Sequence, residues 1–135
     1  MTTPPIDILQ PAGQPQHQRL RVVLADDHVL SRATLVRVLS AHPSIEVVGA
    51  GSDGVEVERL AHELVPDVVV LDVQMPRRDG FEAARAILAN RPVRIVFVTS
   101  FTESAYVDAA RAMGAELVDK AAGDSELLAA VLGCG

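Results

Sequence analysis

Short apolar, β-branched runs alternate with helix-like segments along the chain from Arg19 onward, at intervals of about 20 to 26 residues. The runs that predict strands are 21–25, 45–50, 68–71, 94–98 and 115–118. The third run, VVVL, and the fourth, RIVFV, scarcely alternate between apolar and polar positions. Continuous runs of this kind are typical of parallel strands that are covered on both faces.

The segments between these runs predict five helices, at 29–41, 53 to about 64, 80–90, 102–113 and 124–132. The second carries apolar residues at i, i+3, i+4 and i+7, namely Val57, Leu60, Ala61 and Leu64. Asp79 before the third helix, with Glu82 three residues later, is typical of a capping box. The fourth is rich in alanine and poor in large apolar residues, so we expect it to be the least firmly packed. The whole pattern predicts a doubly wound α/β fold with a five-stranded parallel sheet in the order 2-1-3-4-5, a flavodoxin-like (βα)5 architecture.

Residues 1–18 differ in composition from the rest of the chain. They contain four prolines, four glutamines and a single charged residue, Asp7. This composition predicts a flexible N-terminal extension, followed by one domain at 19–135. The alternative is that Ile6, Ile8 and Leu9 dock on that domain.

Charge and composition exclude several classes of function. The net charge of -6 disfavours direct binding to nucleic acid, because an acidic surface repels phosphate backbones. A single cysteine excludes an internal disulfide and a cysteine-cluster metal site. No apolar run reaches the roughly 18 residues of a membrane span, and no signal peptide is recognisable. We therefore expect a soluble, cytoplasmic protein that does not bind membranes.

Polar residues follow four of the predicted strands. Asp26 and Asp27 come after the first strand, Asp72 after the third, Thr99 after the fourth, and Lys120, the only lysine beside eleven arginines, after the fifth. Each alone is typical of a helix cap or a turn. Because the carboxyl ends of parallel strands share one edge, together they predict a functional site there.

Three carboxylates at one edge repel one another unless some are protonated or a cation binds between them. A set of oxygen ligands with no cysteine favours Mg²⁺. We interpret His28 as a residue of the first helical turn rather than a ligand. A Mg²⁺ site beside a carboxylate, a hydroxyl and a lysine is suited to phosphoryl transfer, with Asp72, at the end of the central strand, as the nucleophile.

The segments VVLADDHVLSRATLVRVL, VVVLDVQMPRRDGFEAAR, IVFVTS and LVDK resemble the receiver domain of two-component response regulators, and ADDH is similar to the LuxR/NarL-type branch. The resemblance covers roughly residues 19–132. It implies that Asp72 accepts a phosphoryl group from a sensor histidine kinase. It also implies that Asp26, Asp27, Asp72 and the backbone carbonyl of Gln74 hold Mg²⁺, with either Asp26 or Asp27 binding through water.

The same resemblance implies roles for other positions. Thr99 would be the switch hydroxyl that bonds the phosphoryl oxygens, and Lys120 would pair with the phosphoryl group. Gln74 and Phe101 would border the path of the hydrolytic water and set the lifetime of the phosphorylated state, unless Phe101 only packs under the fourth helix. Phosphorylation would switch a surface on helix 4, strand 5 and helix 5 that binds a second copy or an output domain.

The resemblance implies transcriptional control through a DNA-binding domain absent from this chain. We read the ending LGCG after a short helix as a receiver cut from a longer protein; a single-domain phosphate shuttle is the alternative. In either case the protein is a switch rather than an enzyme that turns over a substrate.

The sequence departs from the family pattern at three places. Leu117 stands where many receivers have an aromatic residue whose rotamer reports phosphorylation. The pair Gly114 and Ala115 lies about one residue closer to the lysine than usual, which predicts a shortened start of strand 5. Ala121 stands where a proline in a cis bond often follows the lysine, and cis geometry costs about 3–4 kcal/mol at a non-proline residue. These departures affect the conformational readout but not the phosphoacceptor chemistry.

Other classes of protein fit less well. An aspartyl-nucleophile phosphatase of the haloacid-dehalogenase type needs D-x-D after strand 1, but here Asp26 and Asp27 are adjacent. A nucleotide or flavin module needs a loop rich in glycine or hydroxyl residues after strand 1. This chain has an acidic loop there, which repels phosphate unless a metal intervenes. A degenerate receiver used only for docking would have lost active-site residues, and here every position is filled.

Overall fold

The computed structural model describes residues 19–133, so the predicted extension at 1–18 lies outside the described residues. Strands and helices alternate throughout this part of the chain. The strands are β1 (Leu20–Ala25), β2 (Ile45–Gly51), β3 (Val68–Leu71), β4 (Arg94–Thr99) and β5 (Glu116–Asp119). The helices are α1 (Val29–Ser40), α2 (Gly54–Leu64), α3 (Gly80–Asn90), α4 (Ser104–Ala112) and α5 (Asp124–Leu132).

The five strands form one sheet in the order β2-β1-β3-β4-β5, and all neighbours are parallel. This confirms the predicted fold. The strand order reverses at β1, because β2 lies on one side of it and the later strands lie on the other. The carboxyl ends of β1 and β3 therefore flank the topological switch point, where α/β sheets bind their ligands.

Alternate residues of each central strand face opposite sides of the sheet. On β3, Val68 and Val70 pack with α1 and α5, whereas Val69 and Leu71 pack with residues of α2, α3 and α4. All four are fully buried, which explains the continuous apolar run. The two half-cores hold the sheet rigidly between helices and fix the positions of the strand ends.

Most predicted element ends coincide with the structure, and the others differ by one or two residues. The second helix begins at Gly54, because Asp53 is its N-cap and accepts a 2.8 Å hydrogen bond from the Glu56 amide. The predicted capping box of Asp79 and Glu82 is confirmed. β5 begins at Glu116 rather than 115, since Gly114 has φ 76° and the Ala115 amide still donates to the Ala110 carbonyl. Thr99 is the last residue of β4 rather than the one after it.

The region around α4 and β5 contributes least to the core. Ala110 is the only buried residue of α4, and no residue of β5 is fully buried. α4 is also shorter than the predicted 102–113. By contrast, α5 buries Leu127, Ala130 and Val131. None of the helices within 19–133 has the length and hydropathy needed to cross a membrane.

Candidate functional site

Two buried carboxylates lie side by side at the carboxyl edge of the sheet. Asp26 follows β1 and Asp72 follows β3; they are 0% and 4% exposed. The Asp26 amide donates to the Gly51 carbonyl and the Asp72 amide to the Ala25 carbonyl, both at 3.1 Å. These bonds continue the sheet by one residue beyond the strands, so the backbone rather than a flexible loop fixes both acids.

Lys120, which follows β5, joins these two acids. Its Nζ lies 2.8 Å from Asp72 Oδ2 and 2.9 Å from Asp26 Oδ2. Its backbone amide donates to the Thr99 carbonyl, which extends the pairing of β5 with β4 to the same edge. Burial alone would lower the pKa of the Lys120 ammonium, but its hydrogen bonds to Asp72 and Asp26 outweigh burial, and the pKa is raised. The side chain is therefore a fixed positive charge at neutral pH.

Asp26 is further bonded by the first turn of α1. Ser31 Oγ donates to Asp26 Oδ2 at 2.6 Å, the His28 amide donates to Oδ1 at 2.9 Å, and Arg32 Nη1 donates to the Asp26 carbonyl at 2.8 Å. Burial would raise the pKa of the Asp26 carboxyl. The bonds from Ser31, the His28 amide and Lys120 together prevail, so the pKa lies below its ordinary value and Asp26 is ionised.

The sequence analysis missed Ser31 and Arg32. Their place in the first turn of α1, directly after the acid pair, could have indicated them. Helical side chains there lean back toward the preceding residues. Ser31 bonds the side chain of Asp26 and Arg32 bonds its carbonyl, so both hold Asp26 in place.

Two buried carboxylate oxygens at this edge remain without a hydrogen bond. Asp72 Oδ1 and Asp27 Oδ1 are buried atoms that receive no hydrogen bond from any described residue. Lys120 contacts Oδ2 of Asp72, so Oδ1 is the oxygen of that carboxylate that is left over, whereas Asp26 Oδ1 already accepts the His28 amide. Asp26, Asp27, His28 and Asp72 each offer a donor atom within 4.8 Å of the others. This oxygen-dominated set fits a hard divalent cation such as Mg²⁺.

His28 is the N-cap residue of α1, just before its first turn, and its imidazole makes no capping hydrogen bond. Its Nδ1 lies 3.3 Å from Asp26 Oδ1 and 3.3 Å from Asp27 Oδ1. The imidazole is 69% exposed and lies at the rim of the site. The sequence analysis placed His28 in the helix only, and the structure adds this proximity to the two acids.

The other predicted residues lie around the same pocket. A pocket of about 470 Å³ is lined by Asp27, Asp72, Gln74, Phe101 and Lys120, among others. The Phe101 ring also packs against Tyr106 of α4, with centroids 5.6 Å apart, so the structure contains both of the contacts considered for it.

Thr99 is fully buried at the end of β4. Within residues 19–133 the one hydrogen bond of its hydroxyl is accepted from the Phe101 amide, at 3.2 Å. Thr99 thus lies at the predicted edge but makes no hydrogen bond to the carboxylates within the described residues. The bond between Lys120 and Ala121 is trans.

The loop between β3 and α3 folds back onto Asp72. The Gly80 amide donates to the Val73 carbonyl at 2.6 Å. A Cβ at position 80 would lie 2.1 Å from the Asp72 carbonyl oxygen, so only glycine fits there. The chain therefore returns within contact distance of the residue that bears the nucleophile candidate, and Gln74 is left exposed beside the pocket.

Comparison with known proteins gives one consistent result. The family model of the response regulator receiver domain matches residues 22–132. The receiver domain of the response regulator NarL from Mycobacterium tuberculosis superposes with a TM-score of 0.82 at 37% identity, covering 87% of this chain and 96% of that one. The response regulator domain of Thermotoga maritima CheB superposes with a TM-score of 0.80 at 32% identity, covering 86% and 96%.

Curated sequences show the same relationship with longer proteins. The chain is 38% identical over 102 residues to a protein-glutamate methylesterase/protein-glutamine glutaminase of Rhodospirillum rubrum, a match that covers 76% of this chain and 28% of the relative. It is 38% identical over 124 residues to the probable transcriptional regulatory protein NarL of Mycobacterium tuberculosis, which covers 90% of this chain and 57% of that protein. The chain thus spans about a quarter to somewhat more than half of the length of these relatives.

Proposed function

The chain belongs to the family of response regulator receiver domains, and on this premise we propose that it is a phosphorylation switch whose phosphoacceptor is Asp72. The donor is the phosphohistidine of a sensor histidine kinase. The protein accepts and loses its phosphoryl group but does not turn over a separate substrate. Residues 19–135 form the receiver, residues 1–18 are an extension, and the protein acts in the cytoplasm.

One observation carries this proposal: Asp72 has one carboxylate oxygen bonded and one left free. Lys120 holds Oδ2 at 2.8 Å, whereas the buried Oδ1 receives no hydrogen bond from residues 19–133. An oxygen with no hydrogen bond keeps its lone pairs available for attack. In the transfer, Asp72 Oδ1 forms a bond to phosphorus while the phosphorus–nitrogen bond of the donor breaks. The released imidazole then takes up a proton from solvent.

Asp26, Asp27, Asp72 and the carbonyl of Gln74 are the groups that would hold Mg²⁺, with either Asp26 or Asp27 binding through water. When bound, Mg²⁺ neutralises negative charge on the transferring phosphoryl oxygens. The chain itself supplies the Lys120 ammonium, held within 3 Å of both buried acids. That ammonium can pair with the phosphoryl group once Asp72 is modified.

Thr99 is the switch hydroxyl in this proposal. Its hydroxyl accepts the Phe101 amide and makes no hydrogen bond to Asp72 among residues 19–133. A new bond to a phosphoryl oxygen therefore requires Thr99 and the chain after it to move. Because α4 has a single buried residue, movement there disturbs little of the core. We propose that α4, β5 and α5 form the switched surface, which binds an output domain or a second copy.

Transcriptional control is the proposed output. The NarL relative is called a probable transcriptional regulatory protein, and its match extends over 90% of this chain. A DNA-binding domain outside this chain would make contact with DNA, because this chain carries a net charge of -6 and repels phosphate backbones.

Gln74 and Phe101 are proposed to set the lifetime of the phosphorylated state, since both line the pocket beside Asp72. If the Phe101 ring excludes the attacking water, Phe101→Ala should hydrolyse its phosphoryl group about fivefold faster, equivalent to about 1 kcal/mol of barrier. The decay of the phosphorylated mass over time measures this. An unchanged lifetime in a variant with an unchanged melting temperature would leave Phe101 with its packing role against Tyr106 alone.

The proposed function is tested by intact-mass measurement after incubation with Mg²⁺ and acetyl phosphate. We expect the protein to gain the mass of one phosphoryl group. This gain should not occur when Mg²⁺ is chelated beforehand or when Asp72 is replaced in Asp72→Asn. The same gain in Asp72→Asn would refute the assignment. Steady hydrolysis of small phosphorylated metabolites, with no phosphorylated protein, would instead indicate an aspartyl-nucleophile phosphatase.

A further inference from the structure

Arg77, in the loop after Asp72, has an unusual backbone conformation. Its φ is 69°, in the left-handed region that side chains other than glycine rarely adopt. Such a conformation costs about 1–2 kcal/mol for a residue with a Cβ. Since the side chain is 60% exposed, burial of apolar surface does not account for an arginine at this position.

The Arg77 guanidinium instead binds Asp53 with two nitrogen atoms. Nε lies 3.0 Å from Asp53 Oδ2 and Nη2 lies 3.4 Å from Oδ1. Asp53 is the N-cap of α2, and its Oδ1 also accepts the Glu56 amide at 2.8 Å. The Glu56 amide is the main cause of the lowered pKa of the Asp53 carboxyl, and Arg77 adds to it. A two-atom ion pair thus ties the loop to the start of α2.

Arg78 makes two further contacts with the same helix. Its guanidinium lies 3.1 Å from Glu58 Oε1. Its carbonyl oxygen comes so close to Gly54 that a Cβ there would lie 1.9 Å away. The loop and the first turn of α2 are therefore in direct backbone contact, and the ion pair of Arg77 with Asp53 links the same two segments.

This contact completes a ring of bonded segments around the acidic edge. The carbonyl of Gly51, the last residue of β2, accepts a hydrogen bond from the Asp26 amide. From there the chain leads to Asp53, across the ion pair to Arg77, and along the loop to Asp72. Gln74, whose carbonyl is the proposed backbone ligand, lies inside the stretch of loop that the ring constrains.

We propose that Arg77 and Asp53 are a pair of positioning residues that hold the loop in the conformation in which the Gln74 carbonyl completes the divalent cation site. This inference rests on the proposed function, since it concerns the same site. It explains why a strained backbone at Arg77 is retained: the ion pair with Asp53 offsets the strain and fixes the loop.

Electrostatics and positioning predict opposite effects when Arg77 is removed. Loss of a positive charge from the loop that follows Asp72 makes the surroundings of the acidic edge more negative, so Coulomb's law alone predicts tighter cation binding. Loss of the positioning pair predicts weaker binding, because the loop must then be ordered when the cation binds. The sign of the change therefore distinguishes the two causes.

The test is calorimetric titration of the unphosphorylated protein with Mg²⁺, together with thermal unfolding in EDTA. We expect Arg77→Gly to bind Mg²⁺ about fivefold more weakly, the lower end of measured coupling between sites. Its melting temperature in EDTA should change by no more than a few degrees, because glycine adopts the left-handed conformation freely. Arg77→Asn should show the same Mg²⁺ affinity and melting temperature as Arg77→Gly, since asparagine tolerates the left-handed conformation.

Arg59→Ala is the matched control. It removes one positive charge from an exposed pair on α2, Arg59 with Glu63 at 3.0 Å, that does not touch the loop. Its Mg²⁺ affinity should equal that of the unmodified protein or rise slightly. The double variant Asp53→Asn/Arg77→Gly should bind no more weakly than the weaker single variant, because the two residues act as one unit.

Equal or tighter Mg²⁺ binding by Arg77→Gly would overturn the positioning role and leave the proposed function intact. Fully additive losses in the double variant would also overturn it. If the unmodified protein binds no Mg²⁺ at all, the proposed cation site and the positioning role both fail.

Discussion

Replacing Lys120 with Gln should destabilise the cation-free protein by about 2–3 kcal/mol, because two buried carboxylates then face each other without a positive charge. Both Oδ2 atoms contact the same Nζ in the structure, at 2.8 and 2.9 Å. The substitution shortens the side chain by one atom and keeps a polar end, but it removes the ammonium.

The magnitude follows from this geometry. Two oxygens that share one Nζ are no more than about 6 Å apart, and two unit charges at about 5 Å repel by about 3 kcal/mol at an effective dielectric constant of about 20. Breaking a fully buried ion pair costs about 3–5 kcal/mol. The Lys120 side chain is 22% exposed, so a value below that range is expected. Protonation of one acid would reduce the loss further.

Urea unfolding at neutral pH in EDTA measures the loss, and the same experiment with Mg²⁺ measures its recovery. Mg²⁺ should stabilise Lys120→Gln more than the unmodified protein, since a cation then supplies the missing positive charge and binds only the folded state. Arg111→Gln is the matched control: it removes one charge from a side chain that is 76% exposed and pairs with Asp108 at 3.7 Å. It should cost less than about 1 kcal/mol.

Two results would refute this reasoning. The first is an equal loss of stability in Lys120→Gln and Arg111→Gln, which would mean that burial of the acids adds nothing. The second concerns the double variant Asp72→Asn/Lys120→Gln, in which only one of the two buried charges remains. It should be more stable than Lys120→Gln alone, and a double variant of equal or lower stability would show that repulsion is not the cause.

Three further predictions concern the backbone and pH. Val65, the C-cap of α2, has φ 48° and is 52% exposed, so Val65→Asn should raise the free energy of unfolding by about 0.5–1 kcal/mol in urea unfolding, whereas Val55→Asn within the helix should not. Gly80→Ala should lower it by about 2 kcal/mol or more, because the added Cβ would lie 2.1 Å from the Asp72 carbonyl oxygen. The lowered pKa of Asp53 means that its stabilisation is present above the ordinary carboxyl pKa of about 3.9 and is lost as the pH falls through the lowered value. The difference in unfolding free energy between the unmodified protein and Asp53→Asn should therefore shrink below about pH 4 in a urea series, and a difference that stays constant down to pH 2 would contradict this.

The strands and the acidic edge could be predicted because their signals are local. A continuous apolar run such as VVVL predicts a buried strand, and the residue that follows it must lie at the strand's carboxyl end. The sequence therefore predicts that Asp26, Asp72 and Lys120 lie together, and in the structure Lys120 is within hydrogen-bond distance of both acids. Their chemical roles remain proposals.

Contacts that depend on how a helix or loop is rotated could not be predicted in this way. Ser31 reaches Asp26 only because of the angle at which α1 leaves the strand. The pair of Arg77 and Asp53 joins residues 24 positions apart through a left-handed backbone residue, and nothing in the letters PRRDG marks that conformation. The start of β5 was off by one residue because Gly114 and Ala115 still belong to the turn after α4.

The weak packing of α4 and β5 has a consequence for motion. Segments with few buried residues open locally at a lower free energy than the core, and their amide hydrogens exchange with solvent first. Lys120 directly follows β5, so an opening of β5 also withdraws the ammonium from Asp26 and Asp72. Each opening then carries an added electrostatic cost, and the charge at the acidic edge sets how often α4 and β5 open. The ion pairs of Lys120 at one edge of the sheet therefore affect the hydrogen exchange rates of α4 and β5, two elements with few buried residues.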